Sequence, residues 1–428
     1  YNDSEKEEKT LYKEEDEKEI EKELTEKYGS LAEKAKGEKE YYILENEKLK
    51  ITLCNKGGRI INVSLKDYQT YDSLPLHLFD EDSSLFNLQF TTGKNINTKD
   101  LYFSADESSD NISMKLHFSD SNYIEFIYIL SDDYMLDFDI NIVGMNDIIP
   151  PNINYMNLEW QMKTPHTEKS KSNQDSYTGI YYQYQIDKEV DNLSLVKSEE
   201  ENINSKLSWV CFKQQFFSSI LISEKGFEKP TNLISLKEEG STYIKNLYAK
   251  FEVPYSHKRN EQLDFQFYFG PNNFKKLKSY HMNFEEIIPL GFIWIDTLVN
   301  KYIIINLFDF LSKYISNYGL IILILTIIIK LVLSPFTYKA YLSQAKMKVL
   351  KPEIDKINEK NKQKDPLKVQ QETMNVYRKA GVNPMGGCLP MLFQFPILIA
   401  MFRFFPASIE LRQKSFLWAD DLSTYDSV

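Results

Sequence analysis

From Tyr41 to Pro271 apolar and polar residues alternate with a period of two. Leu49, Ile51 and Leu53 alternate with Lys50 and Thr52, the turn Asn55-Lys56-Gly57-Gly58 interrupts, and Ile61, Val63 and Leu65 resume the pattern. Ile124, Phe126 and Tyr128 form a second run, broken by Ser131-Asp132-Asp133. Leu136, Phe138, Ile140 and Ile142 then alternate with Asp137, Asp139 and Asn141, and Leu263, Phe265, Phe267 and Phe269 precede Gly270-Pro271. Successive strand side chains point to opposite faces, so each strand buries one face and wets the other. Many such strands joined by polar turns predict a large antiparallel β-sandwich over residues 41–278. Residues 1–40, mostly Glu and Lys, read as a charged linker, either a solvated helix or disordered.

After Pro271 the period becomes helical. In 301–317 the polar residues Asn306, Asp309, Lys313 and Ser316 recur at spacings of three and four. Ile304, Ile305, Leu307, Phe308, Leu311 and Ile315 fill a wide apolar face. Beside Trp294, Tyr302 and Tyr314 this predicts an amphipathic helix in a membrane interface. Alone, a core helix of a soluble domain would account for it. Residues 318–336 decide otherwise. Within Leu320–Leu333 only Thr326 and Lys330 are polar, and a span needs about 20 apolar residues. A second run, 388–405, is apolar except for Gln394 and Arg403. Between them, 338–381 predicts a helical hairpin. Met347, Leu350, Ile354 and Ile357 supply one arm of its seam and Leu367, Met374 and Tyr377 the other, with Lys362–Asp365 as the connection and Asn383-Pro384 as the end.

Charge orients these elements. Residues 1–290 hold 34 Lys+Arg against 51 Asp+Glu, and 291–428 hold 17 against 11. Pro335–Gly387 carries 11 Lys+Arg against 5 Asp+Glu, which makes it cytoplasmic by the positive-inside rule. The acidic sandwich is then on the other side, periplasmic in a Gram-negative cell, with 406–428 back on that side.

The catalytic inventory is poor. The five histidines are scattered, no HExxH, P-loop, GxGxxG or GxSxG occurs, and the three cysteines lie far apart. No catalytic residue, metal site or cofactor is predicted. One site stands out. Lys330 lies deep in the first apolar run, with Thr326, Ser334, Thr337 and Tyr341 on the same helical face. A lysine at mid-membrane costs about 2.5–3.5 kcal/mol and is tolerated facing water, a partner charge or a cavity. Snorkelling to the interface is the structural alternative. Gln394 is either packing glue between helices or a further lining residue.

The string TIIIKLVLSPFTYKAYLSQAKMKVLKPEI, the hairpin, and YRKAGVNPMGGCLPMLFQFPILIAMFRFFPASIELRQKSFLWADDLS closely resemble the YidC-type membrane protein insertases. Upstream, LENEKLKITLCNKGGRIINVSLKDY and FYFGPNNF resemble their periplasmic domain. The resemblance covers roughly residues 41–428. It implies a β-supersandwich similar to sugar mutarotases, without enzymatic role, followed by an α-helical membrane domain, 279–428. It also implies an anchor span before the sandwich and five spans after it, of which this sequence holds the first two. In the family a hydrophilic groove holds a basic residue, often Arg, at the position of Lys330. The implied partners are nascent membrane proteins, the bilayer, the Sec translocon and the ribosome with its signal recognition pathway, with no nucleic acid bound directly. Two rival readings are a membrane-anchored carbohydrate-binding or mutarotase-like protein and a structural scaffold or subunit of a channel.

Overall fold

A computed structural model describes residues 19–238, 240–291, 294–360, 366–381 and 389–425. Residues 1–18, Lys362–Asp365, Asn383-Pro384 and Cys388, to which the sequence reading assigned roles, lie outside the described residues. The chain divides into two compact units, Tyr1–Ile287 and Ile288–Val428.

The first unit is the expected antiparallel sandwich. A small sheet of four strands carries Leu49, Ile51, Leu53, Val63 and Leu65 on its buried face. The larger assembly of fourteen strands hinges on one strand, Phe217–Leu236. Its first part pairs with Leu207–Lys213 and Asn260–Pro271, and its second with Glu199–Ile203 and Asn246–Pro254. Gly226 at the changeover has φ 79°, a left-handed conformation that favours glycine, and the end of the Gln185 side chain packs against it. Aromatic rings join the two halves of this assembly. Trp160 stacks on Phe212 at 3.8 Å between centroids, and Phe86 meets Phe138 edge-on at 5.3 Å. The predicted strand Leu136, Phe138, Ile140, Ile142 is wholly buried on that face.

Two lysines lie inside this apolar frame. Lys245 donates to the carbonyls of Asp175, Thr178 and Leu195 and pairs with the Asp175 carboxylate at 3.5 Å. Lys213, 1% exposed, donates to the Tyr177 carbonyl at 2.8 Å and faces the rings of Tyr177 and Tyr181. Burial pushes its ammonium down to about 7. Both lysines direct their donors at backbone carbonyls around the helix Lys171–Tyr177, knitting its end to the sheet.

The charged lead-in is the solvated helix of the two expected alternatives, but its end docks on the sandwich instead of running free as a linker. Residues 19–28 are helical, a 3-10 turn Gly29–Ala35 follows, and Tyr28, Leu31 and Ala32 are buried. Tyr28 donates to the Asp100 carboxylate, and Lys94 reaches the carbonyls of Thr25 and Glu26 at the helix end. Three apolar residues among many charges were enough to dock this segment on the sandwich. At its other end the unit runs on to Ile287, past the expected boundary at 278, because Phe284 and Ile287 are fully buried.

The second unit is helical. The apolar run and the first arm of the predicted hairpin are one unbroken helix, Tyr318–Lys360, of 43 residues. Pro335 does not break it. Its ring removes the donor for the Leu331 carbonyl, and the Ser334 hydroxyl replaces that donor at 2.8 Å. Among the described residues this is the one helix long and apolar enough to cross a membrane by that criterion, and Gln394–Ala407 is a shorter apolar stretch of the helix Leu389–Ala407. Met347, Leu350, Ile354 and Ile357 are half-buried among exposed neighbours, as the seam requires. On the second arm, Pro366–Lys379, the inward residues are Val369, Thr373, Val376 and Tyr377. Leu367 and Met374 are exposed, contrary to expectation, because the helix turns its 4-3 row from Val369 towards the partner.

The amphipathic segment starts earlier than predicted. Trp294–Val299, a π-turn Asn300–Ile304 and Ile305–Ser312 follow one another without a break. Asp296 and Asn300 are fully buried together with Ile304, Ile305 and Phe308, while Trp294, Tyr302, Ile303, Phe310 and Tyr314 are exposed. The predicted faces hold, with Leu307, Leu311 and Ile315 half-buried beside that core and Asn306, Lys313 and Ser316 exposed, while the exposed aromatic residues suit an interfacial setting.

Candidate functional site

The polar stripe on Tyr318–Lys360 opens onto a cavity of about 440 Å³, open to solvent. Lys330, Leu333, Ser334, Thr337, Tyr338 and Tyr341 line it from the long helix, and Gln394 lines it from Leu389–Ala407. Helical spacing explains the set. Positions 330, 334, 337 and 341 follow one another at 4-3-4 and share one face. Gln394 reaches the same space from the neighbouring helix.

Five of the six residues picked out from the sequence thus meet around one cavity. Thr326 does not. It lies one turn from Lys330 towards the start of the helix, half-buried, and its hydroxyl donates to the Ile322 carbonyl at 2.8 Å. Leu333 and Tyr338 line the cavity but escaped the sequence reading, which searched the stripe for polarity and so passed over Leu333. Tyr338 lies on the flank of that stripe, one position after Thr337.

The chemistry of the lining is that of a wet, weakly held surface. Ser334 and Thr337 donate to the carbonyls of Leu331 and Leu333, so each hydroxyl is anchored and keeps acceptor capacity towards the cavity. Lys330 is exposed and contributes the positive charge of the lining, and no acid is among the lining residues. An ammonium on a four-carbon stem acts as a mobile point charge rather than a planar fork. One positive charge without an acid makes the lining complementary to an anionic group and leaves the orientation of such a group unfixed. Among the described residues, no group of three or more His, Cys, Asp or Glu is placed to hold a metal.

One further polar residue, missed in the sequence reading, braces this region. Asn300 donates to the carbonyls of Leu290 and Ala400, the latter at 2.7 Å, and so ties the amphipathic segment to the helix that bears Gln394. A lone Asn in an apolar helix signals such a link, but its partners are backbone atoms distant in sequence.

Comparisons with known proteins bear on both units. Residues 42–303 match the family profile of the YidC periplasmic domain, and 310–428 match the profile of the 60Kd inner membrane protein. The chain is 41% identical over 422 residues to the membrane protein insertase YidC of Parabacteroides distasonis, covering 95% of this chain and 66% of that protein. It is 37% identical over 415 residues to the YidC of Amoebophilus asiaticus, covering 94% of this chain and 69% of that one. A crystal structure of an active YidC insertase with its first transmembrane domain resolved is similar at 18% identity and a TM-score of 0.33, covering 90% and 76%. The chain spans about two thirds of the length of the curated relatives it matches. The sandwich is thus a periplasmic domain and the apolar helices belong to the inner membrane. With profiles matching both units and relatives above 30% identity along nearly its whole length, the chain belongs to the YidC family of membrane protein insertases.

Proposed function

We propose that this protein inserts newly made inner-membrane proteins into the bilayer and assists their folding, using the cavity beside Lys330 as the entry for a client's polar tail. The observation that carries the proposal is the convergence of Lys330, Ser334, Thr337, Tyr341 and Gln394 on one open space within the apolar unit. Moving a polar tail through hydrocarbon is the costly step of insertion. A hydrated recess reaching part-way into the membrane shortens that path. Lys330 attracts acidic groups of the tail while the client's apolar span partitions into lipid. Burial of that span and the membrane potential supply the driving force, with no covalent chemistry at the site. The hairpin is the cytoplasmic receiving surface. Family resemblance adds the Sec translocon and the ribosome with its signal recognition pathway as partners.

A charge series at Lys330 in the full-length protein tests the proposal. Lys330→Arg should retain insertion. Lys330→Ala should impair clients with acidic translocated tails, Lys330→Glu more so, and neutral-tailed clients should be far less sensitive. A charge pair in a wet recess is screened, so a deficit of about 1–2 kcal/mol is expected, a several-fold to tenfold loss of insertion. Normal insertion of acidic-tailed clients by Lys330→Glu would remove the electrostatic step.

A further inference from the structure

Beyond the helix Leu389–Ala407 the chain makes a closed two-residue turn. Phe416 and Ala419 exchange both backbone hydrogen bonds, at 2.9 and 3.0 Å, and Leu417 and Trp418 form the tip. Such tips normally carry Gly, Asn or Asp, because the backbone there turns left-handed. Here Leu417 takes that conformation, with φ 54°. The two tip side chains are large and apolar, yet 75% and 82% exposed. A strained turn that presents two apolar side chains outward has the form of an interaction surface.

Its position within the unit identifies the partner. The Phe416 ring rests on Gly319, the second residue of the long helix, so closely that a Cβ there would overlap the ring. Lys414 lies over the Tyr318 ring, 5.8 Å from its centroid. The turn is therefore pinned at the level where the apolar run of that helix begins, which is the periplasmic edge of the hydrocarbon. Tryptophan with a lysine close by is the residue combination that settles at this boundary. Tyr314, 76% exposed, lies in the connection between Ile305–Ser312 and the long helix.

We propose that the Phe416–Ala419 turn is a membrane anchor, with Leu417 and Trp418 seated at the headgroup–acyl boundary of the outer leaflet. The proposal rests on the membrane reading of Tyr318–Lys360. The anchor has a consequence for the site. Lys330 follows Tyr318 by twelve residues, about 18 Å along the helix, in a hydrocarbon layer about 30 Å thick. Holding the outer end at the boundary fixes the depth of Lys330 and of the cavity around it. Without the anchor, a slip of one helical turn would shift the lysine by about 5 Å.

Tryptophan fluorescence in phosphatidylcholine vesicles brominated near the headgroup end of the acyl chains tests the anchor. Trp160 and Trp209 are buried in the sandwich, so Trp294 and Trp418 are the residues within reach of lipid. Trp418→Phe should remove about half of the bromolipid-quenchable emission, and the emission it removes should resist aqueous iodide. Loss of an iodide-quenched component would place Trp418 in water, and loss of a component quenched by neither agent would place it under protein. Either result overturns the anchor. A second arm uses Gly319→Leu, which drives a side chain into the Phe416 ring and should cut Trp418 quenching at least twofold; unchanged quenching would overturn the pinning. Leu323→Trp, on the apolar run, is the control for the membrane reading. Quenching at 323 without quenching at 418 refutes the anchor alone, and quenching at neither refutes the membrane placement itself.

Discussion

Replacing Lys213 by Met should change how the stability of the periplasmic unit depends on pH. Lys213 is 1% exposed, with one carbonyl acceptor and two tyrosine rings around its ammonium. Burial lowers its pKa from 10.5 to about 7, with Lys245 adding a smaller push in the same direction and Cys211 opposing. A depressed lysine pKa means that between pH 7 and 10.5 the unfolded chain holds a proton that the folded chain has released. Stability therefore rises with pH across that window, and below it the penalty is constant. The full penalty corresponds to about 5 kcal/mol, of which about half is recovered between pH 8 and pH 10. Lys213→Met removes this slope but leaves the Tyr177 carbonyl without its donor, at a cost of roughly 1–2 kcal/mol. The variant should be the more stable protein at pH 8 and the less stable one at pH 10, with a crossing at about pH 9. Urea unfolding of residues 1–287, followed by the emission of Trp160 and Trp209, measures both proteins across the range. Buried tyrosines such as Tyr128 titrate above their ordinary value in both, so the comparison cancels them. Parallel stability curves for the two proteins would show that Lys213 keeps its proton in the fold, refuting the desolvation argument.

Two further outcomes are expected. Asn300→Leu deletes both donors to Leu290 and Ala400 and should loosen 294–312 from the second apolar helix by about 1–2 kcal/mol; hydrogen exchange of 294–312 in detergent should accelerate several-fold, and unchanged exchange would mean that apolar packing alone holds the segment. Ile354→Asp puts a carboxylate into the half-buried hairpin seam at a cost of about 1–3 kcal/mol, whereas Lys351→Ala alters the exposed face; limited proteolysis and client insertion should respond to the first and not to the second, and equal effects would assign the hairpin's role to its surface charge.

The contrast between the two units shows which physical signals a sequence carries. A half-buried strand writes its environment residue by residue, so Leu136, Phe138, Ile140 and Ile142 could be placed on the core face from alternation alone, and all four are buried. The cavity was legible for a related reason. A charged residue in an apolar helix is too costly to be accidental, and helical geometry carries the eye from Lys330 to Ser334, Thr337 and Tyr341. A purely compositional rule carried less: it allowed the exposed helix of the lead-in, but not its docking on the sandwich through Tyr28, Leu31 and Ala32. The amphipathic segment was legible where its period is regular: Ile304, Ile305 and Phe308 are buried and Asn306, Lys313 and Ser316 are exposed. Its start at Trp294 was not, because Asp296 and Asn300 are polar residues on the buried side, and a periodic pattern does not announce a buried polar residue whose partners are distant backbone carbonyls. Leu417 and Trp418 escape any periodic rule as well: in water they would be an unexplained apolar tip, and at a lipid boundary they become the feature that fixes how deep Lys330 lies.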